Sequence, residues 1–183
     1  MATLQKARQR MDGAIEALRR EFAGVRTGKA SPALLDTIRV EAYGSMLPLN
    51  QVGTVSAPEA RMLVVQPWDK TLIKATEKAL RESDLGFNPS NDGAVIRIPI
   101  PPLTEERRKE YVKLLHKLTE EARVAVRNVR REANDEVKHS QKDEGLSEDD
   151  VRREQTEVQK LTDQYIARIE ELMKHKEAEI MEV

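Results

Sequence analysis

Arg123, Arg127, Arg130 and Arg131 lie in a stretch, residues 122–138, that holds neither Pro nor Gly. A guanidinium presents a planar fork of N–H donors that fits a phosphate through two parallel hydrogen bonds, so arginines repeated at helical spacing suit a polyanion. At about 100° per residue, Arg123, Arg127, Arg130, Arg131, Asn134 and Lys138 share a face roughly 100° wide. Beside that face runs an apolar seam of Ala122, Ala125, Val126, Val129, Ala133 and Val137. Opposite charges three or four apart stabilise a helix by about 0.2–0.5 kcal/mol, and like charges cost a similar amount. Arg123 has Glu120 within that reach, and Arg131 has Asp135. Arg127 has only Arg123, Val124, Arg130 and Arg131, while Arg130 has only Val126, Arg127, Ala133 and Asn134. Either acids on a neighbouring helix neutralise these two, or phosphates of another molecule do. The second reading predicts that Arg127 and Arg130 stand on an outer surface without an acidic companion. Binding through them would weaken with salt as counterions are released.

The other candidates for chemistry are weaker. Gly24-Val25-Arg26-Thr27-Gly28-Lys29-Ala30-Ser31 loosely resembles a phosphate-binding loop. Its glycines are four apart rather than five, Ala30 stands where a Mg²⁺-binding hydroxyl would be needed, and a helix precedes it instead of a strand. Two readings remain for Arg26 and Lys29: a basic helix end favoured by the helix dipole, or a second phosphate contact. His116, His139 and His175 are scattered without metal-ligand spacing and read as solvated; no metal site is expected. Asp149-Asp150 and Glu170-Glu171 read as exposed helix charges, not a general acid and base. No nucleophilic or metal-dependent constellation emerges, so no enzyme and no cofactor are expected. Trp68, between Pro67 and Asp69, is expected to pack under a small sheet.

These residues need rigid supports, and proline shows where those supports lie. All eight prolines fall between Pro32 and Pro102. Proline costs about 3 kcal/mol inside a helix, so the Pro-free flanks can be helical and the middle cannot be uniformly so. Leu4, Met11, Leu18 and Val25 recur every seven residues in the first flank, with Ala7, Ala14, Ile15 and Phe22 filling the second seam. Two further helices follow from Tyr111, Leu115, Leu118, Ala122, Ala125 and Val129, and from Val158, Leu161, Tyr165, Ile169, Leu172 and Ile180. Thr104 is placed to cap the first of these and Ser147, with Asp150, the second. The short turn at Asp143-Glu144-Gly145-Leu146 makes the pair antiparallel. In the middle, strands are expected at 37–43, 62–65 and 94–98, with a helix capped by Asp69, running to about Ser83 and ended near Gly86. The fold class is therefore α+β: an elongated three-helix bundle made of 1–30 and 104–183, with a small β-rich α/β domain, 31–103, inserted. The crossings at Ala30-Ser31-Pro32 and Pro101-Pro102-Leu103-Thr104 would serve as a hinge.

Composition bounds the partners. The net charge of −1 excludes binding to nucleic acid through bulk positive charge. Placement is another matter: residues 1–30 carry +4, 104–142 carry +3, the insert −1 and 143–183 −7. The absence of Cys removes disulfides, thiolate metal sites and a Cys nucleophile. No apolar run approaches the roughly 20 residues needed to span a bilayer, and the start, Met1-Ala2-Thr3-Leu4-Gln5-Lys6, lacks the apolar core of a secretory leader. A cytoplasmic, membrane-free protein is expected, as a monomer, although the helical seams would also permit a dimer.

Several stretches together resemble the bacterial ribosome recycling factor family. They are residues 26–32 (Arg-Thr-Gly-Lys-Ala-Ser-Pro), Leu34-Leu35-Asp36, Ser83-Asp84-Leu85-Gly86 with Asn88-Pro89, residues 99–109 (Pro-Ile-Pro-Pro-Leu-Thr-Glu-Glu-Arg-Arg-Lys), residues 125–135 (Ala-Val-Arg-Asn-Val-Arg-Arg-Glu-Ala-Asn-Asp), and Gln159-Lys160-Leu161-Thr162-Asp163. Lys29 departs from the family, which often has Arg there. The resemblance implies an L-shaped, two-domain protein of roughly transfer-RNA size whose bundle lies on large-subunit ribosomal RNA. It implies elongation factor G as a partner whose GTP hydrolysis drives separation of the ribosomal subunits after termination. It also implies an RNA-contacting role for Arg130 and a hinge on the two crossings. The rival from another class is a helical interaction scaffold or chaperone, which explains the long helices but leaves the arginine stripe without a purpose.

Overall fold

Proline and the helix caps decide where the long helices begin and stop. The structure, a computed structural model, describes residues 2–182 and divides into two units, Met1–Val25 with Arg108–Val183, and Arg26–Arg107.

In the first unit, α1 (Ala2–Ala23), α3 (Glu105–Glu144) and α4 (Glu148–Met181) supply the helices. α3 starts after the Pro101-Pro102 pair, where the Thr104 hydroxyl accepts from the Arg107 backbone N–H at 3.2 Å. It ends at Gly145, whose φ of +72° suits a residue without Cβ. Ser147 then caps α4: its Oγ accepts from the Asp150 N–H at 3.1 Å and donates to the Asp150 carboxylate at 2.6 Å. The predicted seams are buried. Ala7, Met11, Ile15, Leu18 and Phe22 of α1 meet Leu115, Ala122, Val126, Val129, Ala133 and Val137 of α3, and Val158, Leu161, Tyr165, Ile169 and Ile180 of α4. Two threonines sit in this core at no cost in unmade hydrogen bonds. Thr119 donates to the Leu115 carbonyl at 2.6 Å and Thr162 to that of Val158 at 2.8 Å.

The inserted unit contains a two-stranded hairpin, β1 (Arg39–Ala42) with β2 (Ser45–Pro48). Beside it stands an antiparallel sheet of β3 (Gly53–Glu59), β4 (Met62–Pro67), β5 (Ser90–Asn91) and β6 (Ile96–Pro99), in the order β3-β4-β6-β5. Tyr43 and Gly44, both at positive φ, make the hairpin turn. Gly53 is demanded by space, since a Cβ there would lie 2.6 Å from the Gln66 carbonyl oxygen. One cluster, including Val40, Leu49, Leu63, Val65, Leu80, Phe87, Ile96 and Ile98, forms the core of this unit alone.

Three expectations are corrected. α2 (Ile73–Arg81) stops before Ser83 and well short of Gly86; Glu82 N–H still reaches the Lys78 carbonyl at 2.9 Å, and Ser83 Oγ caps the Leu80 carbonyl at 2.7 Å. Asp69 caps a 3₁₀ turn, Lys70–Leu72, that leads into α2. Trp68 is 67% exposed, its indole N–H donating to Thr54 Oγ1 at 3.2 Å. Alternation in β4 sends Leu63, Val65 and Pro67 inward and leaves the next position outside.

Candidate nucleic-acid interface

The face begins with the burial pattern of α3. Ala122, Val126, Val129, Ala133 and Val137 turn inward, so the positions between them turn out. Arg127, Arg131 and Lys138 are exposed, while Arg123, Arg130 and Asn134 are half-buried at the edge of the seam. Two acids of α3 serve the other side of the helix: Glu132 takes Arg10 of α1, and Glu136 takes Lys6.

The arginines differ in how they are held. Arg123 is gripped from both sides, by Glu120 at 2.8 Å and by Glu170 of α4 at 2.5 Å. Those two carboxylates raise its pKa further, and the hydrogen bond from Arg123 holds the Glu120 carboxyl below its ordinary range. Arg127 is not without an acid, which corrects the sequence-based expectation. Its guanidinium lies 3.4 Å from Glu120, seven residues earlier, a reach that a test confined to three or four residues misses. The pair is long, both side chains are about half exposed, and Glu120 already serves Arg123. Such surface pairs contribute little.

Arg130 fits the expectation. Among the described residues no carboxylate pairs with it; its partner is the neutral amide oxygen of Gln159 on α4 at 3.3 Å. Gln159 in turn donates to Asp163 at 2.8 Å. The acid is thus one amide removed, and the remaining N–H groups of Arg130 stay available. Arg131 was expected to pair with Asp135; no ion pair joins them among the described residues. The Asn134 side-chain oxygen is buried beside this face without a donor. Glu170 and Gln159 are the partners that sequence reasoning missed here. Glu120 was placed beside Arg123 by its spacing of three, but not beside Arg127.

The second cationic pair separates. Arg26 turns into the inserted unit, where its guanidinium donates to the Leu85 carbonyl and lies 5.6 Å from the centre of the Phe87 ring. Lys29 is exposed. His116, His139 and His175 are exposed, and no His/Cys/Asp/Glu cluster able to hold a metal occurs among the described residues. Among the described residues no helix is long and apolar enough to cross a membrane.

Residues 18–181 match the family model described as ribosome recycling factor. The ribosome-recycling factor of Symbiobacterium thermophilum is 57% identical over 180 residues, covering 98% of this chain and 97% of that protein. That of Halalkalibacterium halodurans is 59% identical over the same shares. A solution structure of the ribosome recycling factor superposes with a TM-score of 0.80 at 51% identity, over 100% of this chain and 97% of that one. A second structural relative, at TM-score 0.68 and 50% identity over 99% of this chain and 98% of that one, is a model of the Thermus thermophilus factor with Escherichia coli elongation factor G on the post-termination complex. A match across the full fold and nearly the full length, joined to a phosphate-suited arginine face on the longest helix, leads to one conclusion: this chain belongs to the ribosome recycling factor family.

Proposed function

We propose that the α3 face anchors this factor on large-subunit ribosomal RNA while elongation factor G drives the post-termination ribosome apart into subunits. The factor is a translation factor and not an enzyme; GTP hydrolysis belongs to its partner. Arg130 carries the reading. It is half-buried, yet among the described residues its side-chain partner is a neutral amide. A phosphate meeting it gains a charge-assisted hydrogen bond without first breaking an ion pair. Arg127 follows, at the cost of a long surface contact with Glu120. Arg131 and Lys138 add cations, Asn134 adds polar contacts at the edge, and Arg123 shapes the border of the site from its carboxylate grip. Lys29 is a separate cationic contact on the first crossing.

The hinge belongs on the crossings that carry Ala30, Ser31 and Pro32, and Pro101, Pro102, Leu103 and Thr104. Two parallel connections allow rotation but restrict tumbling, and their prolines limit which torsions turn. A push on the inserted unit would then move the bundle against the RNA it grips. A role on ribosomes would put the protein in the cytoplasm. Light scattering tests the function: adding the factor, elongation factor G and GTP to post-termination ribosomes should lower the scattering as subunits part. No decrease beyond that seen without the factor would overturn the reading. A scaffold or chaperone role gains no support from a face built of arginines.

A further inference from the structure

The hairpin of the inserted unit has an open strand edge. Among the described residues β1 pairs with β2 alone. Leu49 N–H donates to the Ile38 carbonyl at 3.2 Å, and in the same register Val40 faces Leu47 and Ala42 faces Ser45. Hydrogen bonding alternates along an antiparallel pair, so Ile38, Val40 and Ala42 turn their main-chain groups towards β2. Arg39 and Glu41 turn theirs the other way. The residue opposite Arg39 fits this reading, since Pro48 has no N–H to offer. Arg39 and Glu41 are both exposed, and among the described residues no backbone hydrogen bond covers that edge.

The edge runs along a groove of about 620 Å³, within the roughly 300–1,000 Å³ of known ligand sites. Its other wall is α2, which supplies Ala75, Lys78, Ala79 and Glu82, one stripe at helical spacing. The two alanines are short and keep that wall cut back, while Ile38, Leu85 and Met46 add apolar surface. Met46 is 61% exposed, an adaptable apolar side chain left uncovered. The charges lining the groove are three carboxylates, Glu41, Glu82 and Asp84, against two cations, Arg39 and Lys78. Lys78 lies 4.0 Å from Glu82. Among the described residues no ion pair or hydrogen bond holds the side chains of Glu41, Asp84 or Arg39, which leaves two free acids and one free base.

We propose that this groove takes an extended, cationic peptide segment of a partner protein, added to β1 as a third strand of the hairpin. Strand addition draws affinity from main-chain hydrogen bonds and specificity from alternate side chains. Arg39 and Glu41 together offer two donors and two acceptors for it. Side chains of an extended segment alternate between two faces. One set would meet the apolar surface of the groove. The other would reach the rim, where Glu41 and Asp84 favour Lys or Arg. Neither the arginine face nor the splitting of ribosomes enters this proposal.

Heteronuclear NMR on the full chain tests it, with acetyl-Val-Lys-Val-Lys-Val-Lys-amide as the probe. On titration the Arg39 and Glu41 amide signals should move most, and their hydrogen exchange should slow by about tenfold or more. The same peptide N-methylated at every amide can donate no main-chain hydrogen bond and should leave both signals in place. So should the peptide with glutamate in place of lysine. Glu41→Gln combined with Asp84→Asn, both at exposed positions, should weaken binding about threefold, the scale of two exposed ion pairs. Still signals at Arg39 and Glu41 under millimolar peptide would overturn the proposal. So would movement confined to α4, since residues 143–183 carry −7 and attract any cationic peptide. Equal binding by the N-methylated peptide would reject strand addition, and equal binding by the glutamate peptide or unchanged affinity in the double variant would reject the cationic partner. Movement of the two amides on concentrating the protein alone would put a second copy on the edge instead.

Discussion

Arg130 and Arg127 are three residues apart on one helix, yet they stand in different electrostatic circumstances. Among the described residues Arg130 pairs with the Gln159 amide and no acid, whereas Arg127 shares Glu120 with Arg123. Arg130→Ala should therefore weaken ribosome binding about ten- to a hundredfold, in line with the ~1.5–3 kcal/mol typical of a hydrogen bond to a charged group. It should also lower the slope of log affinity against log salt by roughly 0.7–0.9, with helicity by circular dichroism unchanged. Equal slopes for variant and parent would remove Arg130 from the interface. Glu120→Gln acts in the opposite direction. It frees Arg127 while Glu170 keeps Arg123 in place, so binding at low salt should tighten by a small factor in the same titration. A loss of affinity would mean that Glu120 arranges the arginines instead of competing for them.

Caps and turns can be tested as local structures. Ser147 satisfies an N–H at the start of α4 and holds the Asp150 carboxylate; Ser147→Ala should cost about 1 kcal/mol, read by thermal unfolding of the bundle. In the turn between β5 and β6, Asp92 accepts from the Val95 and Ala94 N–H groups at 3.0 Å and from Arg97 at 2.6 Å. The backbone N–H groups of Val95 and Ala94, then Arg97, hold its carboxyl far below the ordinary Asp range. A carboxylate whose folded pKa is depressed contributes stability that is complete above its unfolded pKa, near 4. That contribution declines as pH falls further towards the folded value. Asp92→Asn should thus lower stability at neutral pH and flatten its loss below about pH 4, measured by urea unfolding at a series of pH values. The Ser147 cap was legible because it is a short polar side chain three residues before an acid at the start of a helical run. β3 and β5 were not. β3 is mostly exposed and carries Pro58, and β5 is two residues long, so neither shows the alternation that marks a strand.

The chain builds two cores. Leu63 lies wholly buried in the cluster of the inserted unit, to which no bundle residue belongs. Leu63→Ala should cost the insert about 2–5 kcal/mol. The far-UV signal of the long helices should unfold at its parent midpoint. A single transition shifted as a whole would show that the two units unfold together.

The three long helices, the turn between the last two, the Thr104 and Ser147 caps and the arginine face were already determined by the order of residues. Each depends on groups within a few positions of one another, where periodicity, proline and hydrogen-bonding side chains act directly. The partners of those arginines were decided only by tertiary structure. Glu170 and Gln159 come from a helix reached after a turn, 47 and 29 positions from Arg123 and Arg130. The inward turn of Arg26 onto Leu85, 59 positions away, was likewise beyond any local pattern. Trp68 shows the same limit from the other side: its apolar mass argued for burial, and the register of β4 placed it outside. Local interactions set which element forms, but only the packed chain sets what a side chain at its edge will touch.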